Sequence, residues 1–394
     1  MSEEYFHILL APNAFKGSLT AHSAALAMEE GVRRVGRLPN GRVLEVVFAP
    51  LADGGDGTLE TLVSATQGTL EVAEVQDPLG RPVLARWGRL GGERAHIAVI
   101  EMAEASGLRL LKRDELDPRR ASTYGTGQLM REAIGAGCRE LLVAIGGSAT
   151  NDGGAGMAQA LGARLRDARG RELAPGGANL HRLATVDMSD FLLPAETRVM
   201  VACDVNNPLC GAEGASAIYG TQKGATSDDI TSLDEGLRNF AKVIKEQLLM
   251  DVAERPGAGA AGGLGAGLMA FCGAELRSGI DWVMDVIGFE NKLAQCHLVL
   301  TGEGRVDGQT VRGKVISGVA QRAKARGIPV IALAGSIEEG ADALLNEVGV
   351  TATLCILKSP CSVDEAMLRG YALLADTTER VLRILAIRVH ALGN

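Results

Sequence analysis

The side chains best able to do chemistry in this chain sit in short glycine-bearing stretches, each following an apolar run. They are Lys16, Asp53, Asp56, Asn151, Asp152, Asp204, Asn206, Asn207, Glu303, Arg305 and Asp307. Carboxylates dominate, with a few cations. The six histidines are scattered, which disfavours a zinc hydrolase. No Gly-x-Ser-x-Gly occurs, so a hydrolase nucleophile elbow is not expected. No Gly-x-Gly-x-x-Gly follows the first apolar run, which disfavours a dinucleotide site. The set fits phosphoryl transfer. That chemistry needs amides and a cation around phosphates, carboxylates for Mg2+, and a carboxylate to orient the acceptor hydroxyl. Any one of these acids could equally be a turn residue or a cap. Their recurrence behind apolar runs favours a site.

The densest stretch runs from Leu141 to Leu161, LLVAIGGSATNDGGAGMAQAL. An apolar run has strand length, a polar glycine loop follows, and Ala155 to Leu161 reads as a helix. That layout can point backbone N–H groups and a helix N-terminus at an anion. Gly146, Gly147, Ser148, Thr150, Asn151 and Asp152 are therefore expected to bind phosphate or substrate. No Gly-Lys-Ser/Thr closes the loop, so it is not a Walker loop. A second glycine-dense stretch, Gly257 to Gly267, is read as close packing rather than as a phosphate loop.

Positioning these residues requires strand–loop–helix units. His7–Ala11 and Val43–Phe48 read as strands, each followed by a loop and a helix, with Ser18 or Thr20 as the first cap. The rhythm returns near residue 290. A strand is expected over Leu298–Thr301 with Gly302–Gly308 as its loop, another over Pro329–Ala334 with Gly335–Ser336 as its loop, and a helix over Val363–Val389. Between them, short alternating strands suggest a mixed sheet, and Gly211–Lys223 reads as a polar loop. The expected fold class is α/β. A discontinuous parallel-sheet domain of Rossmann or flavodoxin-like type would span residues 1–80 and 290–394, with an inserted α/β domain containing a mixed sheet over 81–289. The Gly146–Asp152 loop would then form one wall of a cleft between domains.

Composition sets the remaining bounds. The 394 residues are too many for one ordinary core. With 46% hydrophobic and 22% charged residues the chain is globular, and its net charge of −8 argues against a nucleic-acid binder. Seven cysteines without a CxxC pair read as free thiols of a reducing compartment. The acidic start MSEEYFHILLAP is no signal peptide, and no apolar run reaches the roughly 20 residues that span a bilayer. A cytoplasmic location with no membrane partner is expected, and a homo-oligomer is compatible with the sequence.

Six segments in order, APNAFKGSLTA, PLADGGDGTLETL, AIGGSATNDGGAGMAQALGA, CDVNNPLCG, GAGAAGGLGAGL and LTGEGRVDGQT, resemble the bacterial glycerate kinase family of galactarate/glucarate and glyoxylate degradation. The resemblance implies ATP-dependent phosphorylation of D-glycerate with Mg2+, and it favours the 2-hydroxyl. On chemical grounds Asp204 leads as the residue accepting the hydroxyl proton, with Asp53 second. Lys16 would neutralise phosphate or the substrate carboxylate. Arg305 is the alternative carboxylate partner. Asp53, Asp56 and Asp204 are the candidate Mg2+ ligands. Asn206, Gly302, Glu303 and Gly304 complete the expected binding set. Open alternatives are 3-phosphoglycerate as product, another small hydroxy acid as acceptor, and a non-catalytic small-anion sensor.

Overall fold

A computed structural model of the chain describes residues 5–308, 310 and 314–391. The acidic residues 1–4 and Gln309 of the LTGEGRVDGQT segment lie outside the described residues. The chain forms two compact units, Met1–Asp53 with Ile280–Asn394, and Gly54–Gly279. Its strands in order are β1 (Tyr5–Pro12), β2 (Val43–Phe48), β3 (Thr69–Gln76), β4 (Pro82–Arg89), β5 (Ile97–Glu101), β6 (Glu140–Ala144) and β7 (Arg164–Asp167). They continue as β8 (Leu183–Asp187), β9 (Arg198–Ala202), β10 (Glu275–Arg277), β11 (Leu298–Val306), β12 (Val330–Ile337) and β13 (Ala352–Cys355).

The first unit is a five-stranded sheet of order β13-β12-β11-β1-β2, parallel throughout. Counted within the unit, this is the doubly wound order 2-1-3-4-5, whose direction of winding reverses between β1 and β11. Apolar runs drive it: Ile8, Leu10, Leu298, Leu300 and Leu333 are buried in one core with Met28, Leu374 and Leu382 from the flanking helices. Helix Ala21–Val35 starts where Thr20 Oγ1 accepts the Ser23 N–H at 3.1 Å, so Thr20 rather than Ser18 is the cap. A Cβ at Gly31 would come within 2.4 Å of the Ala375 carbonyl oxygen, so glycine lets helix Gly370–Ala391 cross closely.

The second unit is a mixed six-stranded sheet of order β10-β9-β6-β5-β4-β3, with a separate β7-β8 hairpin that sequence did not suggest. β3, β4 and β5 pair antiparallel, whereas β5, β6, β9 and β10 pair parallel. Because β3 lies in this sheet, the first boundary falls at Asp53/Gly54 rather than at residue 80, and the second at Gly279/Ile280 rather than at 290.

Three expectations about elements are corrected. β11 runs on to Val306 because β12 continues the ladder, with Arg305 opposite Ser336 and Val306 opposite Ile337. Gly302–Arg305 and Gly335–Ser336 are thus strand, not loop. The long C-terminal helix is two, Val363–Leu368 and Gly370–Ala391. Gly211–Lys223 contains the helix Ala215–Tyr219 and a 3-10 turn, Thr221–Lys223.

Candidate active site

In the first unit, the carboxyl ends of β1, β2, β11, β12 and β13 surround a cavity of about 570 Å3. That lies within the usual range for small-molecule sites, about 300–1,000 Å3. It sits where doubly wound sheets bind ligands, beyond the reversal between β1 and β11. Lys16, Asp53, Glu303, Gly304, Arg305 and Asp307 all line it, together with Lys314. Gly302 lies on β11 just before them, and its carbonyl accepts the Asn13 N–H at 2.8 Å.

The strands hold these groups firmly. Thr301 Oγ1, fully buried, donates to the Ala11 carbonyl at 2.7 Å and ties β11 to β1. A Cβ at Gly304 would lie 3.3 Å from the Lys16 amide nitrogen, so glycine there admits the Phe15–Lys16 backbone. At Gly335 a Cβ would lie 2.5 Å from the Gly304 carbonyl oxygen. Backbone approach, not a flexible phosphate loop, explains these glycines.

Glu303 is 7% exposed, and its Oε1 accepts from Thr310 Oγ1 at 2.5 Å. Burial pushes its carboxyl up. The Thr310 hydroxyl and Lys314 oppose that rise, and the like charges of Asp53 and Asp307 add to it. Arg305 is held loosely, 3.9 Å from Asp307 and 3.7 Å from Glu338, and its side chain is largely exposed.

The other expected residues lie in the second unit, at the carboxyl ends of its parallel strands. Here the glycine loop behaves differently from its expectation. Asp152 is fully buried, and its Oδ2 accepts from Thr123 N at 2.8 Å, Thr123 Oγ1 at 2.9 Å and Gly156 N at 3.3 Å. Its Oδ1 accepts from Gly154 N at 3.2 Å. The anion held at the start of helix Ala155–Ala160 is therefore Asp152 itself. Burial raises its pKa, and these donors moderate the rise.

Ser148, Thr150 and Asn151 are buried as well. Lys223, 1% exposed, donates from Nζ to Ser148 Oγ at 2.8 Å and to the Thr150 carbonyl at 2.6 Å. Asn151 Nδ2 donates to Ser216 Oγ at 3.0 Å. The loop is thus a buried polar scaffold, and only Gly146 and Gly147 reach its surface. Asp56 lies beside them: a Cβ at Gly147 would be 3.4 Å from its Oδ1. Asp204 and Asn206, after β9, are exposed, and Asp204 Oδ1 accepts the Gly279 N–H at 3.0 Å.

The glycine-dense stretch Gly257–Gly267 packs against this scaffold. A Cβ at Gly262, where φ is +68°, would lie 1.9 Å from the Thr150 carbonyl oxygen, and at Gly267 2.5 Å from that of Gly153. Close packing is its role, as its composition suggested.

Two groups escaped the sequence reading. Lys223 carries no local signal, since its partner Ser148 lies 75 residues away. Glu101 ends β5, the same position that marked the other acids. It is 3% exposed, its Oε1 accepts the Leu59 N–H at 2.8 Å, and burial pushes it up to about 7. Among the described residues, no three His, Cys, Asp or Glu side chains form a group able to hold a metal ion.

A cavity at a winding reversal, lined by carboxylates and cations, suits a phosphorylated ligand without fixing the reaction. Comparison with known proteins decides the family. The family model described as the glycerate kinase family matches residues 8–386. The chain belongs to that family. A glycerate kinase of Halalkalibacterium halodurans is 48% identical over 95% of this chain and 97% of its own length. A glycerate 2-kinase of Escherichia coli K12 is 45% identical over 98% of this chain and 100% of its own. A crystal structure from Salmonella typhimurium LT2, assigned as a glycerate kinase 2, superposes with a TM-score of 0.86 at 43% identity, covering 98% of this chain and 99% of that one. The chain is accordingly a phosphotransferase. Among the described residues, no helix is long and apolar enough to cross a membrane.

Proposed function

We propose that this chain transfers the γ-phosphoryl group of ATP to the 2-hydroxyl of D-glycerate, giving 2-phosphoglycerate and ADP. The observation that carries this reading is the match to the glycerate kinase family over residues 8–386; the groups lining the switch-point cavity, Lys16, Arg305 and Lys314 with Asp53 and Glu303, suit its charged substrates. The 2-hydroxyl is favoured by similarity to a glycerate 2-kinase.

The chemistry asks little of the protein beyond positioning and charge. Lys16 neutralises phosphate oxygens, and Arg305 takes the substrate carboxylate. Asp204 accepts the acceptor hydroxyl proton as its oxygen bonds to Pγ and the Pγ–O bond to ADP breaks. Asp53, beside Lys16 and Glu303 in the same cavity, is the alternative base. The donor set fits Mg2+, which keeps several waters and takes one or two carboxylates with substrate phosphates. Asp53 would supply such a ligand, with Asp56 and Asp204 as the other candidates, and a bound ion would supply positive charge to offset that of the phosphates. The seven free cysteines suit a reducing cytoplasm. Release of ADP on mixing the protein with ATP, Mg2+ and D-glycerate tests the reading, and no release above the ATP-only control would sink it.

A further inference from the structure

We propose that the apolar half of the switch-point cavity is the seat of the ATP nucleoside, with the triphosphate running along the strand ends toward Lys16 and Arg305. This inference rests on the kinase reading and assigns one of its two substrates to a place.

The cavity is not uniform. Above β1 and β11 its wall carries Lys16, Glu303 and Arg305. Above β13 and helix Val363–Leu368 the wall is Ile356, Leu357, Val363, Ala366 and Met367. The strand order puts three spacings between β1 and β13, which is about 14 Å across the sheet. Ile356 and Leu357, after β13, thus extend the cavity well past the reach of any three-carbon acid held at β1, while Met367 carries the apolar wall back to the turn that bears Lys16, where a Cβ at Gly17 would lie 3.2 Å from its Cε. Glycerate carries a carboxylate and two hydroxyls on three carbons, so it has no surface to offer the apolar end. Of the two substrates, only the nucleoside has a flat apolar face joined to a polyanion.

The helix supports the same assignment. Val363, Ala366, Met367 and Gly370 recur at the spacing of one helical face, and all four line the cavity. Val363 is 68% exposed and Met367 40%, and none of the residues in helix Val363–Leu368 is buried. An apolar stripe turned to a cavity rather than to a core is unusual unless something covers it. Its position is fixed on both sides. Ser362 and Glu365 close a capping box at its start. Ser18 Oγ donates to the Met367 carbonyl at 2.6 Å, joining the stripe to the turn that carries Lys16. Methionine is an adaptable, polarizable partner for an aromatic ring.

The test measures ADP binding by calorimetry without glycerate, in the full chain and in two variants. Ala366→Trp fills the slot, and Val363→Glu places a charge on it at an exposed position that the fold does not need. Exposed Cys361, on the cavity wall, reports independently through its alkylation rate with and without ADP. The expected result is at least tenfold weaker ADP binding in both variants, a tenfold rise in the KM for ATP, a KM for glycerate within twofold, and ADP shielding of Cys361 in the unmodified chain. Should Ala366→Trp fail to fold, Val363→Glu and the Cys361 rate decide. ADP binding within twofold of the parent, or loss of glycerate affinity with ADP binding intact, would overturn the seat while the kinase reading stands. A parent chain that binds ADP and shields Cys361 but releases no ADP with glycerate would instead refute the choice of acceptor and leave the seat in place.

Discussion

Lys223 and Ser148 meet in the interior of the second unit, Nζ to Oγ at 2.8 Å, and the same ammonium reaches the Thr150 carbonyl. The lysine is buried on all sides, and burial lowers it to about 7 against the ordinary 10.5, with Asp152 pulling the other way. A neutral amine still donates both hydrogen bonds, so the fold tolerates loss of the proton. Between the folded and the ordinary value the unfolded chain holds a proton that the folded chain does not. Stability from this group therefore rises with pH across about 7 to 10.5. Lys223→Met should remove that slope and cost about 1–3 kcal/mol, because the Thr150 carbonyl loses its donor. Denaturant melts of both proteins from pH 6 to 10 check this. A stability difference that does not change with pH would contradict it.

Asp152→Ala should be more damaging. It strips acceptors from the backbone N–H groups of Thr123, Gly154 and Gly156, all in a buried region. Each orphaned donor costs about 1–3 kcal/mol, so a loss of at least about 3 kcal/mol is expected. Asp152→Asn should recover part of it. A melting temperature unchanged in the alanine variant would mean that the carboxylate is not the scaffold described above.

Much of this architecture was legible in the sequence. Apolar runs located the strands of the first sheet and those of the second except the three-residue β10, and Thr20 was one of the two caps proposed. The failures have a common physical origin. Gly302 and Gly304 look like loop residues, yet they continue β11 because the neighbouring β12 supplies their ladder and Gly335 admits a close crossing. The Gly146–Asp152 loop looked like an anion cradle. The amides of Gly154 and Gly156 that follow it are instead taken by its own Asp152, and its Ser148 hydroxyl by a lysine from a distant segment. Local pattern identifies which groups are polar. Long-range contact decides which of them are left for a ligand.

Asp204→Asn should lower kcat by about 10²–10⁴-fold while the fold stays intact. An amide oxygen can still accept the Gly279 N–H that Asp204 now accepts. Asp53→Asn provides the comparison, since Asp53 lies in the switch-point cavity. Near-normal turnover in the Asp204 variant with a collapse in the Asp53 variant would move the base to Asp53.

Lys16→Met should raise the KM of whichever substrate it contacts by about 10- to 100-fold, the worth of one charge-assisted hydrogen bond. The side chain is exposed, so stability should hardly change. Steady-state kinetics with each substrate varied in turn will show it. Two unchanged Michaelis constants would make Lys16 a solvated lysine at the entry to its helix.

The reaction proposed for this chain is phosphorylation of D-glycerate at its 2-hydroxyl. Phosphorus NMR of the products formed from ATP, Mg2+ and D-glycerate tests it most directly. The expected products are 2-phosphoglycerate and ADP in equal amounts. A 3-phosphoglycerate signal, or ATP left intact, would contradict it.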